Sequence, residues 1–198
     1  MKLLVATTNP GKMAEITTVL AELPIQVAGL AEFRPVAPPE ETGVTFAENA
    51  LLKARFYHNA TGLPVISEDS GLEVEALDGR PGVRSARYAG ASDWDRIEKL
   101  LNEMQGLPPE KRGGRFVCAA AIVWRGGEIV FHGDVRGRIL AEPKGHNGFG
   151  YDPVFYHEGL GRTLAEMTPD QKSSISHRGI ALRQLAAWIR LNEFELKA

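Results

Sequence analysis

The residues predict an α/β fold, a mixed sheet with flanking helices, in one domain open to an arrangement of two lobes around a cleft. Three observations point there. Strand and helix patterns are mixed rather than strictly alternating, a glycine-turned hairpin pattern occupies the middle of the chain, and a short apolar strand runs straight into carboxylates. In open α/β sheets, ligand sites lie at such strand ends. The 198 residues are enough for a core, and their 43% hydrophobic and 24% charged content is ordinary globular usage.

The opening, Lys2 to Thr7, reads as a strand, with a turn at Asn9, Pro10 and Gly11. A helix follows with Met13, Ile16, Val19, Leu20 and Leu23 on one face. Ile25 to Leu30 reads as a second strand, leading into a proline-rich loop (Pro35, Pro38, Pro39) that delivers Glu40, Glu41 and Thr42. Thr45 and Glu48 have capping-box spacing, so a helix begins there and ends near Gly62. Leu63 to Ser67 is the short strand that runs into Glu68, Asp69, Ser70 and Gly71. Asp93 is expected to cap a helix through Met104, with Trp94, Ile97, Leu101 and Met104 in one stripe and Pro108 and Pro109 as its stop. Arg115–Trp124 and Glu128–Asp134 flank Arg125, Gly126 and Gly127 as a hairpin, which Val135 to Leu140 extends. A glycine-rich loop from Gly145 to Pro153 and a helix from about His177 to Phe194 close the chain.

Charge and cysteine content narrow the function classes. Twenty-three Lys and Arg against 25 Asp and Glu leave a net charge of -2, with no field favouring nucleic acid or anionic lipid. The single cysteine, Cys118, excludes an intrachain disulfide framework and fits a reducing cytoplasm. The longest uninterrupted apolar run, Phe116 to Trp124, is nine residues, less than half of the roughly 20 that a membrane span needs. Leu3 to Ala6 is too short for the apolar stretch of a secretory signal.

Four segments could carry chemistry. In Thr7-Thr8-Asn9-Pro10-Gly11-Lys12 a strand ends in hydroxyls and opens a helix bearing a lysine, where backbone N–H groups, helix dipole and ammonium favour phosphate. Met13 after the lysine rules out a Walker A loop, and an ordinary turn with a helix cap remains open as well. Glu40, Glu41, Glu48, Glu68 and Asp69 form an acidic set from which two carboxylates would suffice for Mg²⁺ bound to substrate phosphate. Glu40 and Glu68 read as solvated loop carboxylates, whereas Asp69, before Ser70 and Gly71, reads equally well as a ligand. Gly148 to Pro153, GFGYDP, combines glycines that permit close approach with aromatics able to stack on a flat ring. Finally, Lys172 to Gly179, KSSISHRG, puts His177 and Arg178 in the first turn of the last helix, where cations are unfavourable unless an anion lies nearby. The five histidines show no metal-ligand spacing.

Together TTNPGK, ETGVTFAENALLKA, EDSGLEVEALDGRPGVRSARYAG, GFGYDPVF and KSSISHRG, collinear from about residue 3 to residue 190, resemble the inosine triphosphate pyrophosphatase family of non-canonical purine NTP hydrolases. The resemblance implies an elongated mixed sheet with flanking helices, two lobes around a central nucleotide-binding cleft, and a cytoplasmic homodimer without nucleic-acid or membrane partners. It implies Mg²⁺-dependent conversion of ITP, dITP or XTP to the monophosphate and pyrophosphate. By position, Thr7, Thr8, Asn9, Pro10, Gly11 and Lys12 would cradle the triphosphate, Glu41 and Asp69 would hold Mg²⁺, and Asp69 would also activate the attacking water. Ser70 would touch substrate, Phe149, Gly150, Tyr151 and Asp152 would form the base pocket with Phe149 stacking, and Lys172, His177 and Arg178 would complete nucleotide binding. Whether Lys53 and Glu68 contribute is left open. A nucleotide-sensing module without turnover, and a related enzyme acting on pyrimidine nucleotides, are the alternatives.

Overall fold

In a computed structural model, which describes residues 1–33, 37–193 and 195–197, the chain forms a seven-stranded mixed sheet with five α-helices among the described residues. Pro35 and Phe194, named above in the proline-rich loop and at the end of the last helix, lie outside the described residues. The strands are β1 (Lys2–Val5), β2 (Gln26–Gly29), β3 (Val65–Val74), β4 (Gly113–Trp124), β5 (Gly127–Ile139), β6 (Phe155–His157) and β7 (Arg162–Thr163), and their order is β2-β1-β3-β4-β5-β6-β7. β1 lies parallel to both β2 and β3, with Lys2 opposite Gln26 and Leu4 opposite Val65, while β5, β6 and β7 pair antiparallel. The helices are α1 (Pro10–Leu20), α2 (Phe46–Thr61), α3 (Asp93–Glu103), α4 (Pro169–Ile175) and α5 (His177–Leu191).

The chain divides into two compact units. The first comprises residues 1–69, 118–133 and 178–198. Its core gathers Leu3, Val5, Ile16, Leu20, Ile66, Ile122 and Leu185, and Leu3 to Val5 of the parallel strand β1 are all apolar because both faces there are covered. The second comprises residues 70–117 and 134–177, around Leu72, Ile97, Leu100, Met104, Phe116, Val154 and Phe155.

Local signals predicted from sequence are met where the chemistry is local. The Thr45 hydroxyl accepts from the Glu48 amide at 3.2 Å, Glu48 accepts in return from the Thr45 amide at 3.3 Å, and α2 ends at Gly62 with φ +69°. The β4–β5 hairpin turns at Arg125 and Gly126. Other expectations shift. Gly11 is the second residue of α1 rather than part of the turn, since Asn9 is the N-cap and Pro10 opens the helix. Ser92, not Asp93, caps α3, and Trp94 of the expected stripe is exposed while Leu100 takes the buried position. β3 continues through Glu68-Asp69-Ser70-Gly71 to Val74, so the carboxylates sit inside a strand rather than beyond its end. Those residues have turn composition, but burial of their side chains against partners overrides that preference.

Candidate active site

In the first unit the phosphate-loop candidate is a tight, self-satisfied turn. The Asn9 side chain accepts from the Lys12 amide at 3.0 Å, and the Asn9 amide donates to the Thr7 hydroxyl at 3.2 Å. Thr8, Asn9 and Pro10 are exposed, and a cavity of about 900 Å³ with mainly apolar walls opens beside Thr7 to Pro10. Neither Glu41, Glu68, Asp69 nor Lys12 lines it, so the carboxylate chemistry is elsewhere in the unit.

Lys12, on the first turn of α1, reaches Glu68 at 2.7 Å. Glu68 is 2% exposed, which overturns its reading as a solvated loop carboxylate. Its partners come from three elements: Lys12 of α1, Arg178 of α5 at 3.6 Å, and the Cys118 thiol of β4, 3.5 Å away. Burial alone would raise its pKa, but Lys12 and Arg178 outweigh burial and hold it well below the usual carboxylate range. Arg178 is itself 2% exposed and donates to Glu15 at 2.6 Å. The positive charge at the start of α5 is therefore met within the protein by Glu15 and Glu68 rather than requiring a bound anion.

Asp69 follows Glu68, so its side chain leaves the opposite face of β3. It accepts from the Asn49 amide nitrogen at 3.0 Å and lies 3.9 Å from the Lys53 ammonium, which in turn donates to Glu41 at 2.6 Å. Burial raises the Asp69 pKa, an effect only partly offset by Lys53 and Lys12. The Lys53 pKa is raised, because Asp69 and Glu41 outweigh the burial that would lower it. Glu41 and Asp69 thus converge on one cation. That donor set, two carboxylates facing a common positive centre, suits a hard divalent ion completed by phosphate oxygens and water. Among the described residues, no group of three or more His, Cys, Asp and Glu side chains could hold a metal ion by itself.

Asn49 is the site residue that the sequence reading missed. It is fully buried, and while its nitrogen holds Asp69, its oxygen accepts from the Gly43 amide at 2.8 Å. One side chain thereby ties the loop carrying Glu41 to the strand carrying Asp69. A Cβ at Gly43 would stand 2.6 Å from that oxygen, so glycine is required for the approach. The signal was a polar residue on the buried side of a helix whose other inward positions are Phe46, Ala50, Ala54 and Tyr57. Glu48, by contrast, is consumed by the cap, and Glu40 is exposed.

In the second unit, Ser70 is half-buried on β3. Gly148 and Gly150, at φ +76° and +62°, place Phe149 between two left-handed residues. The Asp152 carboxylate accepts from the Phe149 amide at 2.9 Å and from the Lys172 ammonium at 2.6 Å. Lys172, on α4, also stands 4.5 Å from the centre of the Phe149 ring, within cation–π range. The Tyr151 hydroxyl donates to the Ser85 carbonyl at 3.0 Å, and burial pushes its pKa up. His177 is 4% exposed and stacks on Phe116, with centroids 4.7 Å apart and planes 9° from parallel.

The Ham1 family model matches residues 3–188. A protein named dITP/XTP pyrophosphatase from Frankia alni is 48% identical over 96% of this chain and 98% of its own length. One of the same name from Yersinia pseudotuberculosis is 47% identical, again over 96% and 98%. A solved structure of a HAM1 protein from Coxiella burnetii superposes with a TM-score of 0.88 at 42% identity, covering 96% of this chain and 98% of that one. A nucleoside-triphosphatase / dITP/XTP pyrophosphatase structure from Mycobacterium abscessus gives 0.76 at 43% identity, covering 93% and 97%.

Proposed function

The chain belongs to the Ham1 family, and from that premise we propose that it hydrolyses the non-canonical purine nucleoside triphosphates ITP, dITP and XTP to monophosphate and pyrophosphate. The observation that carries this reading is the pair Glu41 and Asp69 meeting at the Lys53 ammonium, with Asp69 fixed by Asn49. Relatives nearly as long as this chain and almost half identical to it carry the name dITP/XTP pyrophosphatase.

In this reading Glu41 and Asp69 would hold Mg²⁺, which when bound would supply charge neutralisation at the phosphate oxygens. Lys53, displaced from its two carboxylates, and Lys12, turning from Glu68, neutralise the triphosphate, with the Thr7 to Asn9 turn and the Pro10-Gly11 start of α1 cradling it. Asp69 orients a water and accepts its proton as that oxygen attacks the α-phosphorus. The bond from the α-phosphorus to the bridging oxygen breaks and pyrophosphate leaves with the electron pair. Ser70 contacts the substrate, Phe149 stacks on the base within the Phe149–Asp152 pocket, and Lys172, His177 and Arg178 complete binding. A 6-oxo purine offers an acceptor to the site's donors. Adenine, with a 6-amino donor, would leave them unpaired and desolvated, which disfavours ATP. The whole chain acts as one pyrophosphatase domain, as a homodimer in the cytoplasm, without a nucleic-acid or membrane partner. No helix among the described residues is long and apolar enough to cross a membrane.

The test is pyrophosphate release from ITP by the wild type and by Asp69→Asn, each with Mg²⁺ and with EDTA. Metal-dependent release by the wild type, lost in Asp69→Asn while ITP binding persists, is the expected result. Near-normal turnover by the variant would remove Asp69 from its role.

A further inference from the structure

Phe149 owes its placement to more than its own loop. Both amides beside its Cα are bound by carboxylates: its own N–H by Asp152 at 2.9 Å, and that of Gly150 by Asp93 at 2.7 Å. Asp152 is local, but Asp93 comes from the first residue of α3, 57 positions away. The second Asp93 oxygen pairs with Arg96, whose guanidinium also donates to the carbonyls of Ala86 at 3.2 Å and Ala91 at 3.4 Å. The carboxylate is therefore aimed, not loose.

Helix capping does not account for this geometry. Ser92 accepts from the Asp95 amide at 3.1 Å and Asp95 accepts from the Ser92 amide at 2.9 Å, so the box that closes α3 is complete without the Asp93 side chain. At 43% exposure, the Asp93 carboxylate adds little to global stability. What it does determine is the peptide plane that follows Phe149. With the left-handed Gly148 and Gly150 permitting several backbone paths, the two pinned amides fix the backbone from which the ring projects toward Lys172.

We propose that Asp93 is a positioning residue for the base site: by holding the Gly150 amide it sets the stacking face of Phe149, and so the affinity for a 6-oxo purine. This rests on the reading of Phe149 as the stacking residue.

The experiment compares Asp93→Ala, Asp93→Asn and Ser92→Ala, alone and with Phe149→Ala, in ITP kinetics and in amide hydrogen exchange at Gly150. Loss of one charge-assisted hydrogen bond should raise the KM for ITP about ten-fold in Asp93→Ala, with kcat nearly unchanged. Asp93→Asn, which keeps an acceptor oxygen, should recover most of that loss. Ser92→Ala should lower thermal stability and leave KM alone. In the Phe149→Ala background, Asp93→Ala should add nothing, because the ring through which it acts is gone. Gly150 exchange should quicken in Asp93→Ala and not in Ser92→Ala. Unchanged Gly150 exchange, an unchanged KM, or an equal KM penalty with and without Phe149 would each overturn the proposal. If the wild type neither binds nor hydrolyses ITP, the purine reading fails as a whole, and the proposal with it.

Discussion

Glu68 and Asp69 are adjacent carboxylates on one strand, and alternation of side chains sends them to different environments. Glu68 meets Lys12 and Arg178, so it is held ionised; Asp69 meets Asn49 and Lys53 from α2, and burial leaves its pKa raised. From sequence Glu68 read as a solvated loop carboxylate, because a solvated loop and a buried strand share the string Glu-Asp-Ser-Gly until partners distant in sequence are known. Removing Glu68 leaves the buried Arg178 and the half-buried Lys12 short of a counter-charge, so Glu68→Gln should lose about 3–5 kcal/mol at pH 7 in urea unfolding. Its folded pKa lies below the ordinary value near 4.5, so its stabilisation is complete above that value and is lost as pH falls toward the folded pKa. Wild-type and Glu68→Gln stabilities should therefore converge in acid; a gap unchanged down to pH 3 would contradict this assignment. Asn49→Ala should lower kcat/KM for ITP by about 10–100-fold while the protein stays folded, if Asp69 holds the metal as proposed and loses the side chain that supports it. An unaffected rate would dissociate the link from catalysis.

At the scale of elements, what was legible was local. Thr45 with Glu48, Gly62 at the end of α2, and the glycine turn between β4 and β5 are set by neighbours within a few residues, and all are found where the spacing puts them. Thr45→Ala should cost about 1 kcal/mol, read from the urea midpoint, and no shift would mean that Glu48 alone sustains the helix start. The seven-residue α4 and the two- and three-residue strands β7 and β6 were not legible, since no periodicity can be counted over so few positions. The length of β3 was hidden for a different reason: its polar centre is stabilised by α1, α2 and α5, which are remote in sequence. α4 matters for the site because it brings Lys172 to Asp152 and Phe149.

For the whole molecule, the net charge of -2 meant that any polyanionic partner must be gripped locally, and composition could not point to a reaction; the ordered set of five motifs did. The residues assigned to phosphate and metal, Lys12, Glu41, Lys53 and Asp69, belong to the first unit, and those assigned to the base, Phe149 to Asp152 and Lys172, to the second. The homodimer reading predicts a mass twice that of the chain in sedimentation equilibrium, and a monomer at micromolar concentration would refute it. The most direct test of the central claim is a panel of ITP, XTP, GTP, ATP and dTTP, each with Mg²⁺ and with EDTA, scored for pyrophosphate against orthophosphate. The account predicts metal-dependent pyrophosphate from ITP and XTP with ATP nearly untouched. Release mainly from dTTP, or orthophosphate in place of pyrophosphate, would contradict it.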